Sequence, residues 1–244
     1  MRSDLTRPWR HTRILTSLLV VFLAGCASLP NGTADPSDPL EPYNRTMFSI
    51  NNQVDQSLVQ PVARGYRALT PDFFRTGVTN FFNNLADLTT VFNDLFQGKG
   101  TQGLADGERF MINSTVGVLG LIDVATPSGL PRHKEDFGQT MAVWGWTDST
   151  YVVLPFLGPS TVRDTLGLVG DYPESLYAQM HTTLTKETEI YAFEELNTRT
   201  NLLAATNVLD TAALDPYAFL RDAYLQRRRN LIYDGHPPPS PEDD

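Results

Sequence analysis

The segment 71–97 constrains the fold more than any other part of the chain. Nine large apolar residues recur in it at spacings of three and four, so they form one stripe along an α-helix. They are Phe74, Val78, Phe81, Phe82, Leu85, Leu88, Phe92, Leu95 and Phe96. The opposite face is rich in Asn and Thr, and Asp87 is its only charge between Thr76 and Asn93. Because Asn and Thr form helices poorly, a solvated face would more naturally carry Glu, Lys or Arg. The pattern predicts either a helix at a membrane interface or along an amphipathic passage, or a core stripe with an ordinary polar back.

Two further stretches carry almost no charge. Residues 110–131 contain only Asp123, and the small and apolar run at their centre is too short and too rich in glycine to span a bilayer. That run is either a buried turn between helices or a loop that meets acyl chains. Residues 137–162 contain only Asp148 as a charge, and their aromatic residues include Trp144, Trp146, Tyr151 and Phe156. Trp and Tyr favour membrane interfaces, but they also fill ordinary cores.

The N-terminus has the pattern of an export signal. Four arginines (Arg2, Arg7, Arg10 and Arg13) precede an apolar run over residues 14–24, which is about half the length needed to cross a membrane. The run ends in Leu23, Ala24, Gly25 and Cys26, which resembles the lipobox of bacterial lipoproteins. We therefore expect residues 1–25 to be a signal peptide. Cys26, the only cysteine, is then the first mature residue and carries diacylglyceryl and acyl groups that anchor it stably. In bacterial lipoproteins an Asp after the acylated cysteine commonly marks retention in the inner membrane. Because Ala27 stands at that position, the resemblance implies sorting to the outer membrane.

The body reads as one mainly helical domain over residues 39–233, preceded by an acylated, flexible tether over 26–38 and followed by a disordered tail over 234–244. Periodicity predicts helices at 40–58, 61–69, 71–97, 102–115, 161–170, 184–207 and 216–231. Cap signals accompany four of these starts, at Asp38, Thr70, Ser160 and Asp215. Three consecutive arginines, Arg227, Arg228 and Arg229, complement the helix dipole at the end of the last helix.

Charge and motifs exclude several functions. Residues 26–244 carry 15 Lys and Arg against 27 Asp and Glu, so we expect no nucleic acid partner and no polybasic docking to lipid. His133, His181 and His236 do not form an HExxH motif, and Val162 replaces the second glycine of a GxSxG motif around Ser160. The mixed charges of residues 132–136 suggest a solvated loop, and the alternative is a contact with lipid phosphate or a protein partner. We expect no catalytic site, no metal and no other cofactor than the groups on Cys26.

Six motifs follow one another along residues 38–228. They are DPLEPYNRTMF (38–48), NFFNNL (80–85), RFMINSTVG (109–117), LIDVA (121–125), LPFLGPSTVRD (154–164) and DPYAFLRDAYLQRR (215–228). In this order they resemble the MlaA (VacJ) family of phospholipid-binding outer-membrane lipoproteins. The resemblance implies a helical ring with an amphipathic central channel, embedded from the periplasmic side in the inner leaflet of the outer membrane. It implies removal of mislocalised phospholipids from the outer leaflet, transfer to a soluble periplasmic carrier (MlaC), and association with a trimeric porin.

The resemblance also suggests which residues meet lipid. We expect Asn80, Asn83 and Asn84 to line the channel or stabilise the ring, and Phe81 and Phe82 to contact membrane or core. The run 116–122 is expected to be the lipid-gating loop, with five apolar residues: Val116, Val118, Leu119, Leu121 and Ile122. Arg109 and Arg163 are expected to pair with acids inside the ring. Two alternatives stay open, a structural lipoprotein that scaffolds partners and a phospholipid hydrolase that uses Ser160.

Overall fold

The computed structural model describes residues 38–171, 184–212 and 214–239 and is mainly helical, as predicted. Its first half contains α1 (Glu41–Val54), a π-helical segment (Asp55–Val59), α2 (Gln60–Leu69), α3 (Asp72–Phe96) and α4 (Gly100–Thr115). Its second half contains a 3-10 turn (Thr126–Ser128), α5 (Phe137–Val143), β1 (Tyr151–Leu154), β2 (Gly158–Thr161), α6 (Val162–Asp171), α7 (Leu184–Ala212) and α8 (Pro216–Ile232). Helix α3 packs against both α4 and α7, α2 packs against α7, and α5 packs against α6.

The predicted break between the first two helices is wrong. Helix α1 continues through the π-helical segment directly into α2, although Pro61 lies at the start of α2. A proline removes one backbone donor, and the wider π turn that precedes it lets the chain remain helical without that hydrogen bond.

Three of the four predicted caps are also wrong, those at Asp38, Thr70 and Ser160. Asp215 caps α8, since its side chain accepts hydrogen bonds from the backbone N–H groups of Tyr217 and Ala218. Asp38, by contrast, is buried and accepts from the Asn44 side chain and the Tyr217 hydroxyl, so it joins α1 to α8. The Thr70 hydroxyl donates to the Tyr66 carbonyl and leaves the start of α3 uncapped.

The sequence analysis missed α5 and the hairpin. Asp136 caps α5 by accepting from the Gln139 backbone N–H, and the Gln139 amide reaches back to Asp136. This acid and amide, three residues apart, are a capping-box signal that could have been recognised. Strands β1 and β2 pair antiparallel, with Tyr151 opposite Thr161. Ser160 lies in β2 and does not cap α6; the Thr161 hydroxyl accepts from the Asp164 N–H instead.

Polar side chains fill the interior and apolar side chains cover much of the exterior. Among the described residues, nine buried residues are hydrophobic and 22 are polar or charged, while 30 large hydrophobic residues are exposed. Water-soluble domains normally show the opposite distribution inside, and their exposed apolar residues are scattered. Within the described ranges, the only apolar cluster of buried residues is small and joins Tyr151 and Val153 of β1 to Tyr217 of α8.

Helix α3 shows this inversion most clearly. Four of its Asn and Asp residues are buried, whereas three of its aromatic residues are exposed. The buried ones are Asn84, Asp87, Asn93 and Asp94, and the exposed ones are Phe73, Phe74 and Phe96. The interpretation of α3 as a core stripe with an ordinary polar back is therefore wrong, because only Val78 and Phe82 of the stripe are buried. No helix among the described residues has both the length and the apolar character required to cross a membrane.

Candidate functional site

An apolar cavity of about 420 Å³ lies between α3 and α7. Phe81 and Phe82 of α3 and Phe193 of α7 form its aromatic wall, with ring centroids 5.4 Å apart for Phe81 and Phe82 and 6.2 Å apart for Phe82 and Phe193. Its other lining residues are Val78, Leu85, Leu121, Glu189 and Ile190. Glu189 is the only charged residue in this lining, so the cavity suits an apolar ligand.

The loop after α4, residues 116–122, borders this cavity through Leu121. Val118 and Leu119 have positive φ angles of 54° and 59°, and Gly120 follows at 87°. A positive φ is unusual for leucine and is a genuine outlier for a β-branched residue such as valine, so the surrounding contacts must impose it. The conformation turns Val118 and Leu119 outward, where 56% and 70% of their surface is exposed.

The asparagines of α3 impose that conformation. Asn84 is buried and donates a hydrogen bond of 2.8 Å to the Ser114 hydroxyl at the end of α4. Gly120 lies directly on the Asn84 side chain, since a Cβ atom at Gly120 would be 2.6 Å from the Asn84 Cβ. Asn80 donates to the Leu121 carbonyl at 3.2 Å. Asn80 and Asn84 therefore hold the loop against α3.

The other end of the loop is anchored by residues that the sequence analysis did not single out. The side-chain oxygen of Asn113 accepts from the backbone N–H groups of Val124 and Ala125, and its side-chain NH₂ group donates to Asp123. Burial alone would raise the pKa of Asp123, but hydrogen bonds from Thr126, Arg109 and Asn113 together lower it to about 2. The carboxylate is thus charged at neutral pH and holds the loop to α4.

A buried ion cluster supports α3 and α4 beneath the loop. Asp87 accepts from Arg109 at 3.1 Å and from Arg132 at 2.8 Å, and Asp87 and Arg109 are almost fully buried. Burial raises the pKa of Asp87, and the two guanidinium groups oppose that shift. Arg109 also reaches Asp123, and Arg163 contacts Asp164 in α6. The expectation that Arg109 and Arg163 pair with acids is confirmed.

The remaining predicted site residues take different positions. The Asn83 backbone carbonyl accepts from Arg132, and Phe81 is half-buried beside the cavity. Five apolar residues of the loop are exposed: Val116, Val118, Leu119, Leu121 and Ile122. The alternative of a buried turn is therefore wrong. In the stretch 137–162, Trp144, Trp146 and Phe156 are exposed, but Tyr151 is buried.

The charged stretch 132–136 is not the solvated loop that its composition suggested. Glu135 is buried and pairs with Lys99 at 3.0 Å, and Asp136 pairs with Arg228. Arg228 therefore serves the interior rather than only the dipole of α8, and it also contacts Asp164. Because these charged groups are removed from water, they are stabilised by pairing with one another.

The described residues offer little to a catalyst or a metal. Ser160 Oγ lies 3.0 Å from the Thr165 hydroxyl and donates to the Thr161 carbonyl, and neither group is a base. Across the described ranges, no three His, Cys, Asp or Glu residues lie together as a metal site requires. Cys26 and His181 lie outside the described residues.

Known proteins are similar to this chain in sequence and in fold. Residues 36–231 match the model of the family described as MlaA lipoprotein. The chain belongs to the MlaA lipoprotein family. Among its relatives, the intermembrane phospholipid transport system lipoprotein MlaA of Escherichia coli (strain K12) is 36% identical over 217 residues, which cover 86% of this chain and 84% of the relative. The protein of the same name from Haemophilus influenzae is 32% identical and covers 91% of each chain. A solved structure from work on the structural basis for maintenance of bacterial outer membrane lipid asymmetry matches with a TM-score of 0.70 and 34% identity, over 80% of this chain and 99% of that one.

Membership of the MlaA lipoprotein family gives the motifs a structural meaning. Arg109 and Asn113, in the motif RFMINSTVG, both bind the segment that follows the exposed loop, Arg109 at Asp123 and Asn113 at Val124. Asp123, in LIDVA, holds the end of the loop to Arg109, and Asn84, in NFFNNL, fixes its turn. The motifs that suggested the family therefore contain the residues that shape the loop and the cavity beside it.

Proposed function

We propose that this protein is a non-enzymatic conduit for phospholipids in the outer membrane, which maintains lipid asymmetry by removing mislocalised phospholipids from the outer leaflet. The observation that carries the proposal is the inverted distribution of polarity among the described residues, where 30 large hydrophobic residues are exposed around a mainly polar interior. An apolar exterior suits contact with acyl chains, and the apolar cavity beside the exposed loop offers a place for a lipid tail.

The location and the partners are part of the same proposal. Acyl groups on Cys26 would anchor the chain, and the helical domain would embed from the periplasmic side as a ring with an amphipathic channel. A soluble periplasmic carrier of the MlaC type would receive the lipid, and a trimeric porin would hold the protein in the outer membrane. The relatives' name, intermembrane phospholipid transport system lipoprotein, supports a carrier of this kind.

A deletion strain tests the proposal. Loss of the gene should raise the amount of phospholipid in the outer leaflet, measured by labelling of surface phosphatidylethanolamine, and detergent extracts of the acylated protein should contain bound phospholipid. Absence of bound phospholipid together with unchanged surface labelling would support the scaffold alternative. Release of free fatty acid that is lost in Ser160→Ala would support the hydrolase.

A further inference from the structure

A second cavity, of about 260 Å³, adjoins the apolar cavity, and the two share Phe82 and Leu85 of α3. The second cavity differs in its chemistry, because charged residues of the stretch 132–136 line it together with Asp171 at the end of α6 and Glu194 of α7. A polar cavity that joins an apolar one matches the two halves of an amphiphile.

Lys134 is the cation of this second cavity that has no carboxylate partner among the described residues. Arg132, in the same lining, pairs with Asp87, and nearby Lys99 pairs with Glu135. The Lys134 backbone carbonyl accepts from the Gln139 side-chain amide at 2.8 Å, and the Lys134 side chain is exposed. An anion bound beside its ammonium group would form a charge-assisted contact with it.

Asp171 is the corresponding carboxylate without a cationic partner within the described part of the chain. One of its oxygens accepts from the Phe137 N–H and from the Asn93 amide, each at 2.9 Å. Burial, together with the nearby Asp136 charge, raises the pKa of Asp171 to about 6. Lys134 and Asp171 line the same cavity, yet no ion pair joins them. The lining of the cavity thus contains a cation and a carboxylate that do not pair with each other.

We infer that this cavity binds the zwitterionic head group of a phospholipid, with Lys134 against the phosphate and Asp171 against the ammonium of an ethanolamine group. The acyl chain would then pass Phe82 and Leu85 into the apolar cavity. Arg132 lines the same cavity, but Asp87 accepts from its Nε and the Asn83 carbonyl accepts from its Nη2, so the inference rests on Lys134 and Asp171. The inference rests on the proposed function and adds to it a head-group site with residues for each charge.

Binding to the full acylated protein in detergent micelles tests this site. The probes are a fluorescent phosphatidylethanolamine, a phosphatidylglycerol with the same acyl chains, which lacks the ammonium, and a diacylglycerol, which also lacks the phosphate. We expect Lys134→Gln to weaken binding of both phospholipids about tenfold and to leave diacylglycerol binding unchanged, because a charge-assisted contact is lost. Lys134→Arg should restore phospholipid binding.

The second residue separates the two charges of the head group. Asp171→Asn should weaken binding of phosphatidylethanolamine several-fold without weakening that of phosphatidylglycerol. Lys186→Gln is the matched control, since Lys186 is exposed on α7 and lines neither cavity. Helical content by circular dichroism must be unchanged in each variant. If Lys134→Gln does not fold, Lys134→Arg and Asp171→Asn still carry the test.

Three results would overturn the inference in different ways. If the wild type binds both phospholipids and diacylglycerol, but Lys134→Gln and Asp171→Asn bind them equally well, the head-group site is refuted and the proposed conduit survives. If the wild type binds no phospholipid, the proposed function fails as well. Displacement of the lipid by inorganic phosphate as readily as by glycerophosphoethanolamine would indicate a general anion site and also refute the inference.

Discussion

Two buried carboxyl groups between α3 and α4 make the folded protein sensitive to pH. Asp94 and Asp106 are both fully buried. Asp94 accepts from Gln102 at 2.8 Å, and Asp106 lies 2.9 Å from His133 Nδ1. Within the described part of the chain, the other oxygen of each carboxyl has no hydrogen-bond partner, and Asp106 is near enough to Asp94 to raise its pKa. Such a pair is stable only when it retains a proton.

The effect on stability follows from the shifted pKa. Burial, followed by the charge of Asp106, raises the pKa of Asp94 to about 7, whereas an aspartate in the unfolded chain titrates near 3.9. Between these values the folded state binds a proton that the unfolded state has released, so stability falls as the pH rises, by up to about 1.4 kcal/mol per pH unit. The loss from pH 5 to pH 7 is then about 2–3 kcal/mol, which corresponds to about 4–12 °C in Tm for a domain of this size.

Asp94→Asn should remove this loss. The asparagine amide can donate to the free Asp106 oxygen and needs no proton from solvent, so the variant should be more stable than the wild type at pH 7 and nearly equal to it at pH 5. Thermal unfolding in detergent, followed by circular dichroism from pH 5 to pH 8, measures the difference in slope. Glu108→Gln, an exposed acid on α4, is the matched control and should keep the wild-type slope. Equal slopes of stability against pH for Asp94→Asn and the wild type would refute the raised pKa of Asp94.

Three further predictions concern the loop and its support. Gly120→Ala should lower the free energy of unfolding by about 1–3 kcal/mol in thermal unfolding, because the new Cβ would meet Asn84. Gly129→Ala is the control and should lower it less, because Gly129 also has a positive φ of 90° but open space around it. Equal losses of stability in the two variants would contradict the role of Asn84. Leu119→Asp should leave Tm nearly unchanged, because Leu119 is exposed, but reduce flotation of the protein with liposomes; a variant that fails to accumulate would contradict the loop's exposure. Asp87→Asn should destabilise the fold by about 3–5 kcal/mol, because Arg109 would lose its buried partner; Asp148→Asn is the exposed control, and similar Tm values for both would argue against the ion cluster.

Much of the fold was predictable because helical periodicity is local. Helix α3 was predicted over residues 71–97 and lies at Asp72–Phe96, and the starts of α7 and α8 agree with the prediction. The continuous helix through Pro61 was not predictable, since proline usually ends a helix and the π turn is a response to packing. The hairpin was missed because its alternation of buried Tyr151 and Val153 spans only four residues.

The candidate site was predictable by segment and not by contact. The low charge of 110–131 indicated a loop that meets lipid or a turn that is buried, and only the exposure of residues such as Leu119 separates these alternatives. The stretch 132–136 misled the analysis because mixed charges look solvated in sequence. Their partners Lys99 and Arg228 are distant along the chain, so no local pattern could pair them.

The sequence by itself determined the helices, the candidate lipid anchor at Cys26 and the membership of a family, because each depends on neighbouring residues or on ordered motifs. Only the tertiary structure decided which face of α3 turns inward. A helix pattern records that Asn and Phe lie on opposite sides, but not which side meets the rest of the protein. Side chains of α4 and of the stretch 132–136 bind the polar side of α3, so this side turns inward and the aromatic residues at the ends of the helix are exposed.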